Sequence, residues 1–311
     1  MNVEIPVGQT TSGPHVRVLL ATFNGAPWLD EQLHSIFAQQ GVRISVVASD
    51  DSSSDGTPEL LQAWIGRGAL TVLPSTGARF GSAHRNFLRL IRDTELGDAA
   101  FFALSDQDDI WLPQKLSRGI ECLGKLSAQG YSSNVTAFWP DGTRHLIDKA
   151  QPQRRFDQLF GSPGPGCTFV FPRSVFQQLQ QWVTQNFDRI QGIWVHDWLI
   201  YAFVRCRGMR WYIDDQPNML YRQHGRNEIG VNAGWRAALS RLRHVRTGAY
   251  RRDILAIADS VGETAGVVQL VRRLSVLDRL RLVLQVRHFR RRLIDCVILA
   301  FFIMVMPRER G

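Results

Sequence analysis

The sequence is poor in cysteine. Four of its 311 residues are Cys, at positions 122, 167, 206 and 296, and no two form a C-x-x-C pair. That spacing excludes a disulfide framework and a cysteine-based zinc site, and it fits a reducing cytoplasm. Long apolar runs are scarce too. The C-terminal one, Leu293 to Met306, contains Asp295 and as a helix would cover roughly 21 Å, short of the roughly 30 Å hydrocarbon core. Met1 to Pro14 has no apolar centre, so it reads as a polar lead-in over residues 1–15 and not as a signal peptide. No G-x-G-x-x-G follows the first predicted strand, and neither G-x-x-x-x-G-K-[ST] nor G-x-S-x-G occurs. These gaps weigh against dinucleotide, P-loop and serine-hydrolase chemistry.

What is present is a foldable composition, 44% hydrophobic and 21% charged, with 26 Gly and 13 Pro. It rules out disordered, collagen-like and multi-pass membrane chains. The net charge of +9 is unevenly spread. Residues 1–235 hold 21 basic and 22 acidic side chains, whereas residues 236–311 hold sixteen Arg against six acids. The basic excess therefore belongs to the last quarter, which reads as a separate electrostatic object.

From Val16 onward, short apolar runs alternate with amphipathic stretches. Val16–Ala21, Val42–Ser49, Leu70–Leu73 and Ala99–Leu104 read as strands; Leu29–Phe37, the stretch from Thr57 and Ala83–Arg92 read as helices, with Thr57 as an N-cap. Further on, Pro113–Ala128, Arg173–Thr184 and His196–Cys206 read as helical, and Cys167–Phe171 and Met209–Ile213 as strands. The pattern predicts an α/β fold with a mostly parallel sheet flanked by helices. Ligands of such sheets bind beyond the carboxyl ends of the strands.

The acidic loops fall at those ends. Asp106-x-Asp108-Asp109 follows the fourth strand, and like charges so close need a cation or hydrogen bonds between them. A Mg²⁺ or Mn²⁺ ion bridging to a diphosphate would meet that need, and so would a solvated turn capping the next helix. Asp51 ends the second strand, where a carboxylate can accept the N3–H of uracil or thymine, although an Asx turn is the alternative and is favoured for Asp55. Thr22-Phe23-Asn24-Gly25 can wrap a nucleoside or be an ordinary βα turn. His196-Asp197 opens a helix, so Asp197 is either a general base or an N-cap. His224, between Arg222 and Arg226, is either a metal or phosphate contact or an exposed loop histidine.

Taken in order, T-F-N-G-A, D-D-S-S-S-D-G-T, S-D-Q-D-D-I-W-L-P-Q-K, H-D-W and Y-R-Q-H-G resemble family 2 glycosyltransferases of the GT-A fold, most of all their bacterial rhamnosyltransferase-like branch. The resemblance covers roughly Val16 to Gly230 and implies a GT-A domain over 16–232. It implies that Thr22, Asn24 and Asp51 hold the nucleoside and that Arg85 and Asn86 lie near the donor. Asp106 and Asp108 match the metal and diphosphate motif, Asp109 faces the donor sugar, and His224 is a late metal or diphosphate contact. Asp197 matches the base of inverting members, next to His196. Arg222 falls in the Y-R-Q-H-G segment, and Gly166 lines the sugar and acceptor cleft. Gln107 fills the variable middle of the acidic turn. The Q-x-x-R-W signature of processive synthases is absent, so one sugar is added per event.

The same resemblance implies Mg²⁺ or Mn²⁺ as cofactor, dTDP-rhamnose or alternatively a UDP-hexose as donor, and a glycan or lipid-linked acceptor. A catalytically silent scaffold is the rival class. Within residues 233–311, the arginines from Arg272 to Arg292 precede the apolar segment 293–306, an arrangement suited to an anionic leaflet on the cytoplasmic side of the membrane. Helices packed on the catalytic domain, with arginines as a solvated face, are the alternative. Aromatic interleaving and nucleic-acid motifs are lacking, so no nucleic-acid partner is expected.

Overall fold

The computed structural model describes residues 13–68, 70–193, 195–225 and 242–308. Most of the expected lead-in, Arg226, the boundary at 232/233 and the helical start at Trp235 lie outside the described residues. Strand β1 (His15–Thr22) carries the V-R-V-L-L-A run, and every residue but Arg17 is buried. It is followed by α1 (Leu29–Phe37), β2 (Arg43–Asp50), α2 (Thr57–Ile65), β3 (Leu70–Val72), α3 (Ala83–Asp93) and β4 (Phe101–Ser105). β1 lies parallel to both β2 and β4, and β2 is parallel to β3. Their carboxyl ends, Thr22, Asp50 and Ser105, therefore open on one edge.

After β5 (Ile110–Trp111) and α4 (Lys115–Lys125) come β6 (Gly130–Ser133), β7 (Val135–Phe138), β8 (Arg144–Ile147) and β9 (Val170–Pro172). Then follow α5 (Arg173–Ile190), α6 (His196–Cys206), β10 (Trp211–Asp214) and β11 (Met219–Arg222). The main sheet runs β10-β6-β9-β4-β1-β2-β3, with β9 antiparallel to both neighbours. A second sheet, β5-β11-β7-β8, is absent from the sequence expectation. Antiparallel pairing of Met219 with Trp111 in this sheet brings Tyr221-Arg222 back beside the acidic turn.

Some local expectations need correction. Thr57 is not the N-cap of α2 but its first residue; Gly56 is the cap. Asp55 does the capping work instead, accepting the Thr57 N–H at 3.0 Å and its hydroxyl at 2.6 Å. Gly166–Thr168 is a 3₁₀ turn, so the strand expected from Cys167 begins at Val170. The helix expected over Arg173–Thr184 runs on to Ile190, which puts Asp188 in its last turn.

Four helices close the described chain: α7 (Ala249–Val261), α8 (Gly266–Arg273), α9 (Val276–Leu284) and α10 (Leu293–Val305). They are not a detached object. Ile254, Ile257, Val271, Phe289, Leu299 and Ile303 share one hydrophobic core with β4, α5 and α6. Part of the arginine excess is turned inward. Arg251 donates to the Val271 and Arg272 carbonyls, and Arg279 to those of Met304 and Met306, which satisfies the free carbonyls at the ends of α8 and α10. Among the described residues no helix is long and apolar enough to cross a membrane.

Candidate active site

The end expected to hold the nucleoside is built from the turns after β1 and β2. Asn24 sits in the left-handed region at φ 47°, and its side-chain Oδ1 accepts the Ser54 N–H at 2.8 Å. Thr22 is buried, with its hydroxyl on the Asp50 carboxylate at 2.8 Å. Asn86 is buried as well; its amide donates to the Ser49 carbonyl at 2.8 Å and to that of Thr22 at 3.3 Å. Both residues therefore tie strand ends together. Asp51 accepts the N–H groups of Phe80 and Gly81, the latter at 2.8 Å and in a left-handed conformation (φ 78°). The loop from Arg79 to Gly81 thus folds over the nucleoside end, and the Arg79 guanidinium stacks on Phe23 at 3.9 Å. Arg85 lies at the mouth of a cleft of about 390 Å³ between Phe80–Ser82 and Gln191–Ile193.

Gln107, which the sequence reading passed over as variable, is structural to this end. Its side chain accepts the Phe23 N–H at 2.8 Å and donates to the Phe23 carbonyl at 2.9 Å. It fits because Gly25 has no Cβ; one there would overlap the Gln107 amide.

In the acidic turn, Asp108 is held by His224, Nε2 to carboxylate at 2.8 Å, and the His224 ring stacks on Trp28 at 3.9 Å. Asp109 is fully buried, accepts the Arg222 N–H at 3.2 Å and receives the Cys167 thiol. Burial, with Asp108 and Asp106 beside it, pushes its carboxyl well above the ordinary value. Arg222 is spent on the turn, donating to the Asp108 carbonyl at 2.8 Å and to Glu31 at 2.5 Å. The expected trio is therefore split: Asp108 and His224 meet, whereas Asp106 groups with Asp109 and Cys167, their donor atoms within 4.8 Å of one another. Beneath them lies Lys115, also passed over, fully buried with its ammonium 3.5 Å from the centre of the Trp111 ring. Burial brings that ammonium down to about 7.

The other side of the site is the N-terminus of α6. Asp197 is the second residue of the helix, not its cap, which is Val195. Its carboxylate accepts the Trp198 N–H at 2.7 Å, and burial pushes its pKa up to about 6 against the Lys149 ammonium and the Ser162 hydroxyl. His196 is buried and stacked on Phe87 at 4.1 Å. It is held neutral, since burial lowers its pKa to about 3. Gly166 is needed there because a Cβ would collide with the His196 ring. The loop from Gly161 to Cys167 joins the two halves: Ser162 reaches Asp197, Gly166 abuts His196, and Cys167 reaches Asp109.

Asp108 with His224, and Asp106 on the same turn, offer oxygen and nitrogen donors that suit a divalent cation. Like charge from Asp108 and Asp106 adds to burial in raising the Asp109 carboxyl, so this turn carries negative charge that a cation would offset. Cys167 is a poor ligand, because burial and Asp109 push its thiol well above the ordinary range and keep it protonated.

Comparison with known proteins agrees with this geometry. A model of glycosyl transferase family 2 matches residues 17–179. The chain is 41% identical over 250 residues to the dTDP-rhamnosyl transferase RfbG of Shigella flexneri, covering 80% of this chain and 86% of that one. It is 31% identical over 149 residues to the succinoglycan biosynthesis protein ExoO of Rhizobium meliloti, covering 47% and 40%. Among solved structures, TarS of S. aureus in complex with UDP-GlcNAc matches with a TM-score of 0.57 at 14% identity, covering 94% of this chain and 82% of that one. The mannosyltransferase PcManGT of Pyrobaculum calidifontis, in complex with GDP-Man and Mn²⁺, matches at 0.51 and 16% identity, covering 95% and 85%. These likenesses establish the GT-A fold. On sequence and fold together, the chain belongs to glycosyl transferase family 2.

Proposed function

We propose that this chain is an inverting, metal-dependent rhamnosyltransferase of cell-surface polysaccharide synthesis. It moves L-rhamnose from dTDP-rhamnose to a hydroxyl of a glycan or lipid-linked acceptor. The observation that carries the reading is Asp197, a carboxyl on the acceptor side whose pKa of about 6 suits proton removal near neutrality. In a single displacement Asp197 takes the acceptor proton as the hydroxyl attacks the anomeric carbon. Lys149 and Ser162 favour its ionised form between turnovers. Asp109, its carboxyl raised by burial and by Asp108 and Asp106, is assigned to the donor-sugar side of the turn. Asp108, with His224 and Asp106 nearby, would hold Mg²⁺ or Mn²⁺, which when bound offsets charge on the departing diphosphate. The donor preference is supported by the identity to RfbG, with a UDP-hexose as the alternative.

The exposed apolar residues of α9 and α10 support a further part of the reading, attachment to the cytoplasmic face of an anionic membrane.

A thermal-shift screen of nucleotide sugars with Mn²⁺ tests the donor. We expect dTDP-rhamnose to raise Tm most, since ligands that bind only the native state stabilise it by mass action. A larger shift with a UDP-hexose would replace the rhamnose assignment. Asp108→Ala is expected to abolish the Mn²⁺-dependent part of the shift; an unchanged Mn²⁺ titration would remove the metal role.

A further inference from the structure

Three cations grip the loop from Gly161 to Gly166 on the acceptor side of Asp197. Arg290 packs on Gly161, where a Cβ would meet its guanidinium, and donates to the Tyr250 hydroxyl at 3.0 Å. Arg291 donates to the Ser162 carbonyl at 2.9 Å and reaches Asp157 at 3.4 Å. Lys149 lays its stem along Gly164, its Cγ 3.6 Å from where a Cβ would stand.

The local acids do not balance this charge. Asp157 is shared between Arg291 and Arg205, the latter at 3.7 Å, and the Tyr250 hydroxyl that Arg290 meets is neutral. Burial first, and then repulsion from Arg291 and Arg290, brings the Lys149 ammonium down to about 8, against the weaker attraction of Asp295 and Asp197. A partly buried cation in a positive field costs stability and needs a reason other than packing.

We propose that Lys149 and Arg290, backed by Arg291, form an anion subsite beside Asp197 that takes the phosphate of a phosphate-bearing acceptor. The proposal rests on the glycosyl-transfer reading in assigning this phosphate to the acceptor, because that reading puts the donor diphosphate at Asp106 and Asp108. A bound phosphate would supply the missing negative charge and bring a neighbouring sugar hydroxyl toward Asp197.

The test is calorimetric titration of the full chain, in EDTA, with inorganic pyrophosphate and separately with glucose 1-phosphate. We expect at least one probe to bind the wild type, to bind Lys149→Met at least tenfold more weakly, and to bind Asp108→Ala within twofold of wild type. The tighter probe identifies the source, a diphosphate-linked glycan or a sugar phosphate. Failure of both probes to bind the wild type, or equal binding by Lys149→Met, overturns the subsite, as does loss in Asp108→Ala with retention in Lys149→Met. Thermal melting separates a structural role: relief of repulsion should leave the Tm of Lys149→Met equal or higher, and a lower Tm with unchanged probe affinity makes Lys149 a packing residue. Because no turnover is measured, failure of sugar transfer would leave the subsite result standing.

Discussion

Asp197 joins stability to chemistry in one side chain. Its carboxyl is raised from an ordinary 3.8 to about 6, so the native state holds its proton more tightly than the unfolded chain does. The sign of the linkage follows. Native stability from this group is highest below about pH 4, falls as pH rises toward about 6, and stays lower above it. Asp197→Asn removes that cost. Its stability should exceed wild type by up to about 3 kcal/mol at pH 8 and match it at pH 4. Melting curves at the two pH values check this, and equal differences at both would refute the raised pKa. The same variant should lose turnover by about 10²- to 10⁴-fold while donor affinity holds. In the wild type, kcat/KM should fall below about pH 6 on a single ionisation, and a flat profile down to pH 5 would exclude Asp197 as the base. Asp197, Asp108 and His224 were singled out from the sequence because charged groups stand at strand and helix ends, and the structure sets Asp197 in the first turn of α6 and brings Asp108 and His224 together. Gln107, Ser162 and Lys149 were not. Their parts depend on approaches of Phe23, Asp197 and Gly164 that no local pattern records.

Among the elements, α6 was legible at both ends because eleven mostly apolar residues open at His196-Asp197. Of the second sheet only β7 was legible, as a strand-like run over Asn134–Phe138; β5 has two residues and β8 and β11 four each, too few for an alternation to register. That sheet nevertheless decides where Arg222 and His224 stand. The segment between α9 and α10 has a comparable hold on the loop proposed to serve the acceptor. Phe289 is fully buried and stacks on Phe160 at 4.3 Å, the His288 carbonyl accepts the Phe156 N–H at 2.9 Å, and Arg291 holds Ser162 and Asp157. Arg291→Met should therefore do more than remove a surface charge. We expect about 1–3 kcal/mol of lost stability from the unpaired Ser162 carbonyl and weakened Asp157 cluster. We also expect a several-fold loss of transfer with donor affinity unchanged. Weakened donor binding together with unaltered transfer would show that this segment does not serve the acceptor loop.

At the scale of the molecule, the described parts of the near-neutral first 235 residues and of the arginine-rich remainder are packed as one body, and the remainder spends several of its cations inside it. Much of what it leaves outside is apolar. Val276, Leu277, Leu280 and Leu284 on α9, and Leu293, Val297, Ile298, Phe301 and Met304 on α10, are exposed on two helices that pack together. Arg281, Arg287 and Arg292 are exposed on the same segment. An apolar face with arginines beside it matches the interior edge and the headgroups of an anionic leaflet at once. Deleting 287–311 would be a poor test, because it also removes Phe289 and Arg291 from the acceptor loop. Substituting Leu284, Val297 and Phe301, which are 85%, 66% and 54% exposed, by Glu leaves the core intact and reverses the character of the face. The wild type should sediment with phosphatidylglycerol vesicles and be released as salt rises, since surface charge attraction is screened within about 10 Å at 0.1 M. The triple variant should stay in the supernatant with Tm and donor affinity near wild type. If it sediments equally, or if the wild type ignores the vesicles, the apolar face serves another contact.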